Sequence, residues 1–377
     1  MSQRRKATLA LADGTLFHGE SWGAEGSICG EVVFTTGMTG YQEVLTDPSF
    51  CGQIVTMTAP QIGNTGINTE DPESREGKPR VAGFVVREPS PIASNWRSTK
   101  SLGEYLSEQG VVALGGVDTR RLTRYIRDKG AQNGCIGTEP PDILVDRARA
   151  APPMEGLDLV SRVTPSAPYA FEESRGDWAA PFGASDAPIE SSGRAHIVAM
   201  DFGAKRNILR CFVDLGFRVT AVPASTSAKD ILALSPDGIF LSSGPGDPAA
   251  VSYAEKTISE LLGKRPIFGI CLGHQLLARA LGARTHKLKF GHRGLNQPVK
   301  DLATGRVEIT TQNHGFVVDV ESIGARAKTT HLHLNDGTSE GLDAPEIRAF
   351  SVQYHPEAAA GPHDALYLFN RFRKSLE

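Results

Sequence analysis

Beyond residue 195 the apolar positions fall into short, nearly unbroken runs separated by amphipathic stretches. His196-Ile197-Val198-Ala199-Met200 and Phe217-Arg218-Val219-Thr220-Ala221-Val222 read as strands, and Lys205 to Leu215 between them reads as a helix. A second helix is predicted from Ala228 to Leu234. It is entered through Ser227, with Asp230 three residues on as the capping partner. Strands follow at Gly238 to Ser242 and at Pro266 to Ile270, and later at Arg306 to Thr311 and Ala349 to Tyr354. Strands and helices alternating at this spacing imply a mostly parallel sheet covered on both faces, with ligands bound beyond the carboxyl ends of its strands.

The chain before about residue 150 has a different texture. Short β-prone runs such as Glu31 to Thr36 and Val81 to Val86 alternate with glycine-rich turns, which predicts a mixed, β-rich domain with few helices. One helix is expected from Asp118 to Asp128, with Leu122, Tyr125 and Ile126 at helical spacing, Gly130 as a stop and many arginines on its other face. From 151 to 193 the composition shifts to Pro, Ala, Ser and Gly, as an interdomain connection would. The expected organisation is therefore an N-terminal domain at 1–150, a connection at 151–193 and a C-terminal α/β domain at 194–377, without internal repeats.

Composition narrows the function classes. With 40 Lys and Arg against 43 Asp and Glu, the net charge of −3 gives no reason to expect nucleic acid or an anionic membrane as partner. The apolar stretch after Lys6 is cut short by Asp13-Gly14, too soon for a signal-peptide core or a membrane span. The five cysteines, Cys29, Cys51, Cys135, Cys211 and Cys271, are odd in number, widely spaced and form no C-x-x-C pair, so no disulfide framework or zinc site is expected. The histidines form no H-E-x-x-H set, and no metal is assigned. No phosphate-loop or dinucleotide fingerprint occurs either. A cytoplasmic protein in a reducing compartment is the expectation.

Candidate chemistry centres on Cys271. It follows the run ending at Ile270 and is flanked by Gly269 and Gly273, a Gly-x-nucleophile-x-Gly pattern in which a strand turns sharply into a helix. The helix N-terminus there favours an anion. His355 and Glu357 emerge from the strand ending at Tyr354, with Pro356 stiffening the backbone between them. Residues two apart in an extended segment point the same way, so the carboxylate reaches the imidazole and fixes its tautomer. Acyl transfer also needs backbone N–H groups aimed at the oxyanion, and the candidates are Leu272, just past the nucleophile, and Gly244 in Ser243-Gly244-Pro245-Gly246-Asp247. Gln312-Asn313-His314-Gly315-Phe316 reads by itself as a turn.

These residues resemble the class I glutamine amidotransferases, through Phe268 to Gln275 and Gln353 to Glu357. The likeness extends to the small-subunit family of carbamoyl phosphate synthases through Gly37 to Glu43, Thr46 to Ser49, Gln61 to Asn64, Val117 to Arg120, Gly130 to Cys135, Asp201 to Ile208 and Gly361 to Ala365. The resemblance implies glutamine hydrolysis by Cys271, His355 and Glu357. It also implies glutamine contacts from Ser49, Gly244, Gly246, Leu272, Gln275, Asn313, Gly315 and Phe316. A large-subunit partner would use the ammonia to make carbamoyl phosphate for arginine and pyrimidine synthesis, with ATP and Mg or Mn on that partner and no cofactor on this chain. Two departures stand out: Ser243 where the family often has Asn, and Ala358-Ala359-Ala360 where Ala-Ser-Pro is common after the glutamate. The alternatives are an amidotransferase subunit of anthranilate, aminodeoxychorismate or GMP synthesis, and a catalytically dead scaffold. The segment from Gly37 to Ser49 and the intact Cys271, His355 and Glu357 argue against them in turn.

Overall fold

The computed structural model describes residues 5–176, 179 and 194–377. The chain divides into two units, Met1–Leu157 with Lys289–Gly294, and Asp158–Leu288 with Leu295–Glu377.

The first unit contains strands β1 (Lys6–Leu11), β2 (Leu16–Ser21), β3 (Ile28–Thr35), β4 (Gln53–Met57), β5 (Gln61–Ile62), β6 (Gly83–Val85), β7 (Glu88–Pro89), β8 (Val112–Gly115) and β9 (Gln132–Gly137). Its helices are α1 (Tyr41–Thr46), α2 (Leu102–Glu108), α3 (Thr119–Lys129) and α4 (Pro141–Ala150). Seven strands close a barrel in the order β1-β2-β8-β6-β4-β3-β9. Closure leaves no open sheet edge, and alternation along each strand then builds separate cores. Leu9, Val32, Ile54, Val85, Leu114 and Ile136 form one cluster contributed by strands all round the barrel, joined by Leu122 and Ile126 of α3. Their neighbours Val33, Val55 and Phe84 face outward to Tyr41 and Leu45 of α1 and Leu102 and Leu106 of α2. Helix α3 begins as expected: the Asp118 side chain accepts from the Arg121 N–H, and Gly130, at φ 102°, ends it.

The cysteine expectation needs one correction. Cys29 and Cys135 stand directly opposite each other in the antiparallel β3–β9 register and are joined as a disulfide. They are 106 residues apart, so it is the pairing of neighbouring barrel strands, not sequence spacing, that brings them together. Cys51, Cys211 and Cys271 form no disulfide.

The second unit is built on a ten-stranded sheet in the order β10-β12-β11-β13-β14-β19-β18-β17-β15-β16. The strands are β10 (Tyr169–Phe171), β11 (His196–Asp201), β12 (Arg218–Pro223), β13 (Gly238–Leu241), β14 (Ile267–Ile270), β15 (Arg284–Asp301), β16 (Val307–Asp319), β17 (Lys328–His333), β18 (Ser339–Ala344) and β19 (Ala349–Val352). The helices are α5 (Arg206–Asp214), α6 (Ala228–Ala233), α7 (Ser252–Leu261), α8 (Leu272–Ala280) and α9 (Tyr367–Ser375). The strands β12, β11, β13, β14 and β19 pair in parallel, as the alternation requires. Antiparallel strands extend this parallel block at both ends, through β10 on β12 and β18 on β19.

Successive residues of the parallel strands serve opposite faces. Val198, Met200, Ile239 and Leu241 meet α6, α7 and α8, while Ile197, Ala199, Phe240 and Phe268 meet α5 and α9. Burial on both faces is why these strands read as continuous apolar runs rather than alternating ones. Aromatic packing reinforces the second layer: Phe212 contacts Phe240 and Phe369 edge-on at 4.9 and 5.2 Å between ring centroids, and Phe268 stacks on Phe350 at 4.5 Å.

Part of the stretch read as a connection belongs to this unit. Tyr169–Phe171 pairs with β12, the Tyr169 hydroxyl donates to Asp201 Oδ2 at 2.9 Å, and Thr164 donates to the Asp201 carbonyl at 2.7 Å. Residues 177, 178 and 180–193 of that stretch lie outside the described residues. The segment read as a turn, Gln312 to Phe316, lies inside β16. A backbone bridge between Thr311 and His355 ties that strand to the end of β19. No helix among the described residues is long and apolar enough to cross a membrane.

Candidate active site

Cys271 occupies the turn between β14 and α8 at φ 55° and ψ −106°, a conformation that non-glycine residues rarely adopt. The neighbouring packing holds it there. A Cβ on Gly273 would lie 2.1 Å from the Leu241 carbonyl oxygen, so α8 approaches β13 more closely than any side chain allows. The Cys271 N–H donates to the Val352 carbonyl at 2.9 Å, which anchors the turn to the end of β19. The thiol is buried and donates to the Asn313 carbonyl at a Sγ to O distance of 3.7 Å.

His355 and Glu357 follow β19, so their approach to Cys271 results from the parallel pairing of β14 with β19. Nδ1 of His355 lies 2.8 Å from Glu357 Oε1. That leaves Nε2 for the thiol. It makes no ordinary hydrogen bond among the described residues, yet the thiol is near enough to raise the proton affinity of the ring. Such loose geometry is common before a substrate completes a site. Burial, the largest single influence, would lower the His355 pKa, but the Glu357 carboxylate and the interaction with the Cys271 thiol together raise it despite the opposing charge of Lys205. Burial likewise opposes ionisation of Glu357, and Lys205 and then His355 more than offset it, holding the carboxyl below its usual range.

Lys205 has no role in the sequence reading. It lies just past the carboxyl end of β11 and is buried, with Nζ 2.8 Å from Glu357 Oε1 and 3.2 Å from the Ala359 carbonyl. Asn207 donates to the Glu357 carbonyl at 2.8 Å. Glu357 Oε1 therefore accepts from both an imidazole and an ammonium, and the start of α5 fixes the residue in place through Lys205 and Asn207. The available signal was position, because Asp201 to Ile208 follows a strand at the same sheet edge as Cys271.

The predicted oxyanion donors come from adjacent segments. A Cβ on Gly244 would meet the Phe202 carbonyl oxygen at 2.4 Å and Leu272 Cδ2 at 2.8 Å, so the backbone of 244 lies against Leu272 as only glycine permits. Gly246 follows in the same loop at φ 90°. Ser243, one of the two departures, is fully buried beside this loop. The Gln275 amide donates to the Phe316 carbonyl at 2.7 Å and to Gln353 Oε1 at 2.9 Å, which ties α8 to β16. His314 bridges Gln312 Oε1 and the Phe316 carbonyl at 3.0 and 2.9 Å, so Asn313, Gly315 and Phe316 belong to a strand held by buried polar groups. Ser49 belongs to the first unit. Its N–H donates to Asp47 Oδ1 at 2.8 Å, and its buried hydroxyl has no hydrogen-bond partner among the described residues.

His274, three residues past Cys271, is wholly buried, with Nδ1 2.9 Å from Ser351 Oγ. Burial, with a smaller push from His331, lowers its pKa from 6.5 to about 3. Below pH 6.5 the unfolded chain takes up a proton that the folded chain refuses until about pH 3. Stability due to the neutral ring is therefore intact above 6.5 and lost as pH falls, by about 1.4 kcal/mol per unit. Urea midpoints for His274→Gln are expected to fall less steeply than those of the wild type between about pH 6.5 and 4; parallel slopes would contradict this.

The first domain matches the family model of the carbamoyl-phosphate synthase small chain, CPSase domain, over residues 9–136, and the second matches glutamine amidotransferase class-I over residues 198–375. The chain is 57% identical over 376 residues to the carbamoyl phosphate synthase small chain of Syntrophotalea carbinolica, covering 99% of this chain and 98% of that one. It is 54% identical over 380 residues to the small chain of Rhodopirellula baltica, covering 100% of this chain and 97% of that one. Among solved structures, a glutamine amidotransferase from Thermotoga maritima aligns with a TM-score of 0.40 and 16% identity, covering 49% of this chain and 100% of that one. The match of the first domain separates the chain from amidotransferase subunits of anthranilate, aminodeoxychorismate and GMP synthesis. A barrel domain and an amidotransferase domain in one chain, each with its own match and with close relatives along nearly the full length, place this protein in the carbamoyl phosphate synthase small chain family.

Proposed function

We propose that this glutamine amidotransferase subunit hydrolyses L-glutamine through a covalent thioester on Cys271. His355 takes the thiol proton as Sγ attacks the carboxamide carbon, and the N–H groups of Leu272 and Gly244 receive the oxyanion. Collapse breaks the C–N bond, and His355 returns the proton to the departing nitrogen as ammonia leaves. Water, deprotonated by the same ring, then cleaves the glutamyl thioester to glutamate and the free thiol. Glu357 orients His355 and stabilises its charged form. Ser49, Gly244, Gly246, Leu272, Gln275, Asn313, Gly315 and Phe316 hold the substrate. The ammonia passes to a large subunit that carries ATP with magnesium or manganese and forms carbamoyl phosphate from bicarbonate.

One observation carries this reading: a strained cysteine at a helix N-terminus, with an imidazole beyond it that is itself held by a buried carboxylate at 2.8 Å. Rapid quenching of the complex with labelled glutamine tests it. Label should remain on the denatured chain in a linkage that hydroxylamine releases, and turnover without any such label would defeat the thioester. Because a free glutaminase would waste glutamine, the isolated chain should turn over at least about tenfold more slowly than the complex with the large subunit. Equal rates would defeat the coupling.

A further inference from the structure

Helix α3 closes one core of the first unit with Leu122 and Ile126 and turns its opposite side to solvent. That side carries Arg120, Arg124 and Arg127 at helical spacings of four and three, so their guanidinium groups form one row about 10 Å long. Arg121 flanks the row, its guanidinium carbon 5.0 Å from the centre of the Phe17 ring. Lys129 ends the helix, and the Ala131 N–H, donating to the Lys289 carbonyl at 2.7 Å, brings a further exposed lysine beside that end.

The row is unfavourable for the free helix. Like charges at these spacings repel, and Arg120 and Arg121 stand in the first turn, where the macrodipole disfavours cations. Arg120 and Arg124 have no carboxylate at ion-pair distance among the described residues. Arg127 reaches only its neighbour Asp128, at 3.3 Å with both side chains more than half exposed. Elsewhere some arginines, such as Arg97, Arg147 and Arg175, sit against carboxylates, while others, such as Arg87 and Arg306, stand singly rather than in a row. A concentrated positive face with one exposed carboxylate beside it is suited to counter-charges from another molecule. The row is too short to follow the phosphates of a duplex, and a chain of net charge −3 is repelled by a polyanion as a whole. An acidic protein surface fits both the length and the charge.

We propose that the Arg120, Arg124 and Arg127 face of α3, extended by Lys129 and Lys289, docks on an acidic surface of the synthase large subunit. The proposal rests on the partnership stated under Proposed function. Its test titrates the cognate large subunit with full-length chain in low and high salt, comparing wild type with Arg120→Glu/Arg124→Glu/Arg127→Glu and with the triple Gln variant. The Glu variant should bind at least about tenfold more weakly and lose most of the salt dependence, with the Gln variant between. Glutamine hydrolysis by the isolated chain should be the same for all three, which confirms that the variants fold. Wild-type affinity and salt response in the Glu variant would overturn the docking face while leaving the partnership standing. Absence of any wild-type association would overturn the partnership first and the face with it. Salt-sensitive binding of an RNA or DNA duplex by the wild type, lost in the variants while large-subunit affinity is unchanged, would assign the face to a polyanion and overturn the proposal.

Discussion

Replacing Cys271 with Ser should abolish glutamine-dependent carbamoyl phosphate synthesis by the complex, by about three orders of magnitude or more, while ammonia-dependent synthesis stays within about twofold of wild type. The two activities part because only one needs a nucleophile on this chain. A serine hydroxyl fills nearly the same volume in the buried turn, so packing around β14 and α8 is preserved and the loss reports chemistry. Its proton is far harder to remove than that of a thiol, and an imidazole placed to deprotonate a thiol is too weak a base to make up the difference. Cys211, buried in the core between α5, α9 and the sheet, provides the control: Cys211→Ser should cost some stability and leave glutamine use intact. Retained glutamine-dependent synthesis in the Cys271 variant would show that Cys271 is a buried, inert residue.

The contrast between Cys271 and Cys29 indicates how much of this molecule the sequence makes legible. Cys271 was identifiable because everything that defines its environment is local: a strand before it, a helix after it and a glycine on each side. His355 and Glu357 were identifiable for the same reason, being two residues apart beyond one strand. The parallel block from β11 to β14 followed from apolar runs whose length and spacing admit little else. Cys29 and Cys135 were missed because only the β3–β9 register places them together. The closed barrel was missed for a related reason, since short strands with glycine-rich turns are equally compatible with open sheets. Gln312 to Phe316 has the composition of a turn, but its polar side chains are satisfied inside the protein, so it continues a strand. The contact of Lys205 with Glu357 was invisible in the sequence because the two lie 152 positions apart.

Lys205 also shapes the second large effect, which is expected for Glu357→Gln. In the wild type the carboxylate does two things at one oxygen: it fixes the tautomer of His355 through Nδ1 and it neutralises the buried ammonium of Lys205. The amide retains an acceptor but no charge. Burial then lowers the His355 pKa, with Lys205 pushing the same way and without the carboxylate charge that opposed both. The imidazolium that must form as the thiol is deprotonated becomes costly, so glutamine hydrolysis should fall by about a hundred- to ten-thousand-fold. The acid limb of the kcat/KM profile should shift to lower pH, since a weaker base stays unprotonated further down the scale. The orphaned ammonium should cost about 3–5 kcal/mol of stability. Adding Lys205→Met separates the two roles. The double variant should recover most of the stability, because the uncompensated charge is gone, and little of the rate, because His355 still lacks the carboxylate. Hydrolysis by Glu357→Gln within about threefold of wild type would remove Glu357 from the mechanism. Full recovery of rate in the double variant would show that the buried lysine charge, rather than loss of orientation, had caused the defect.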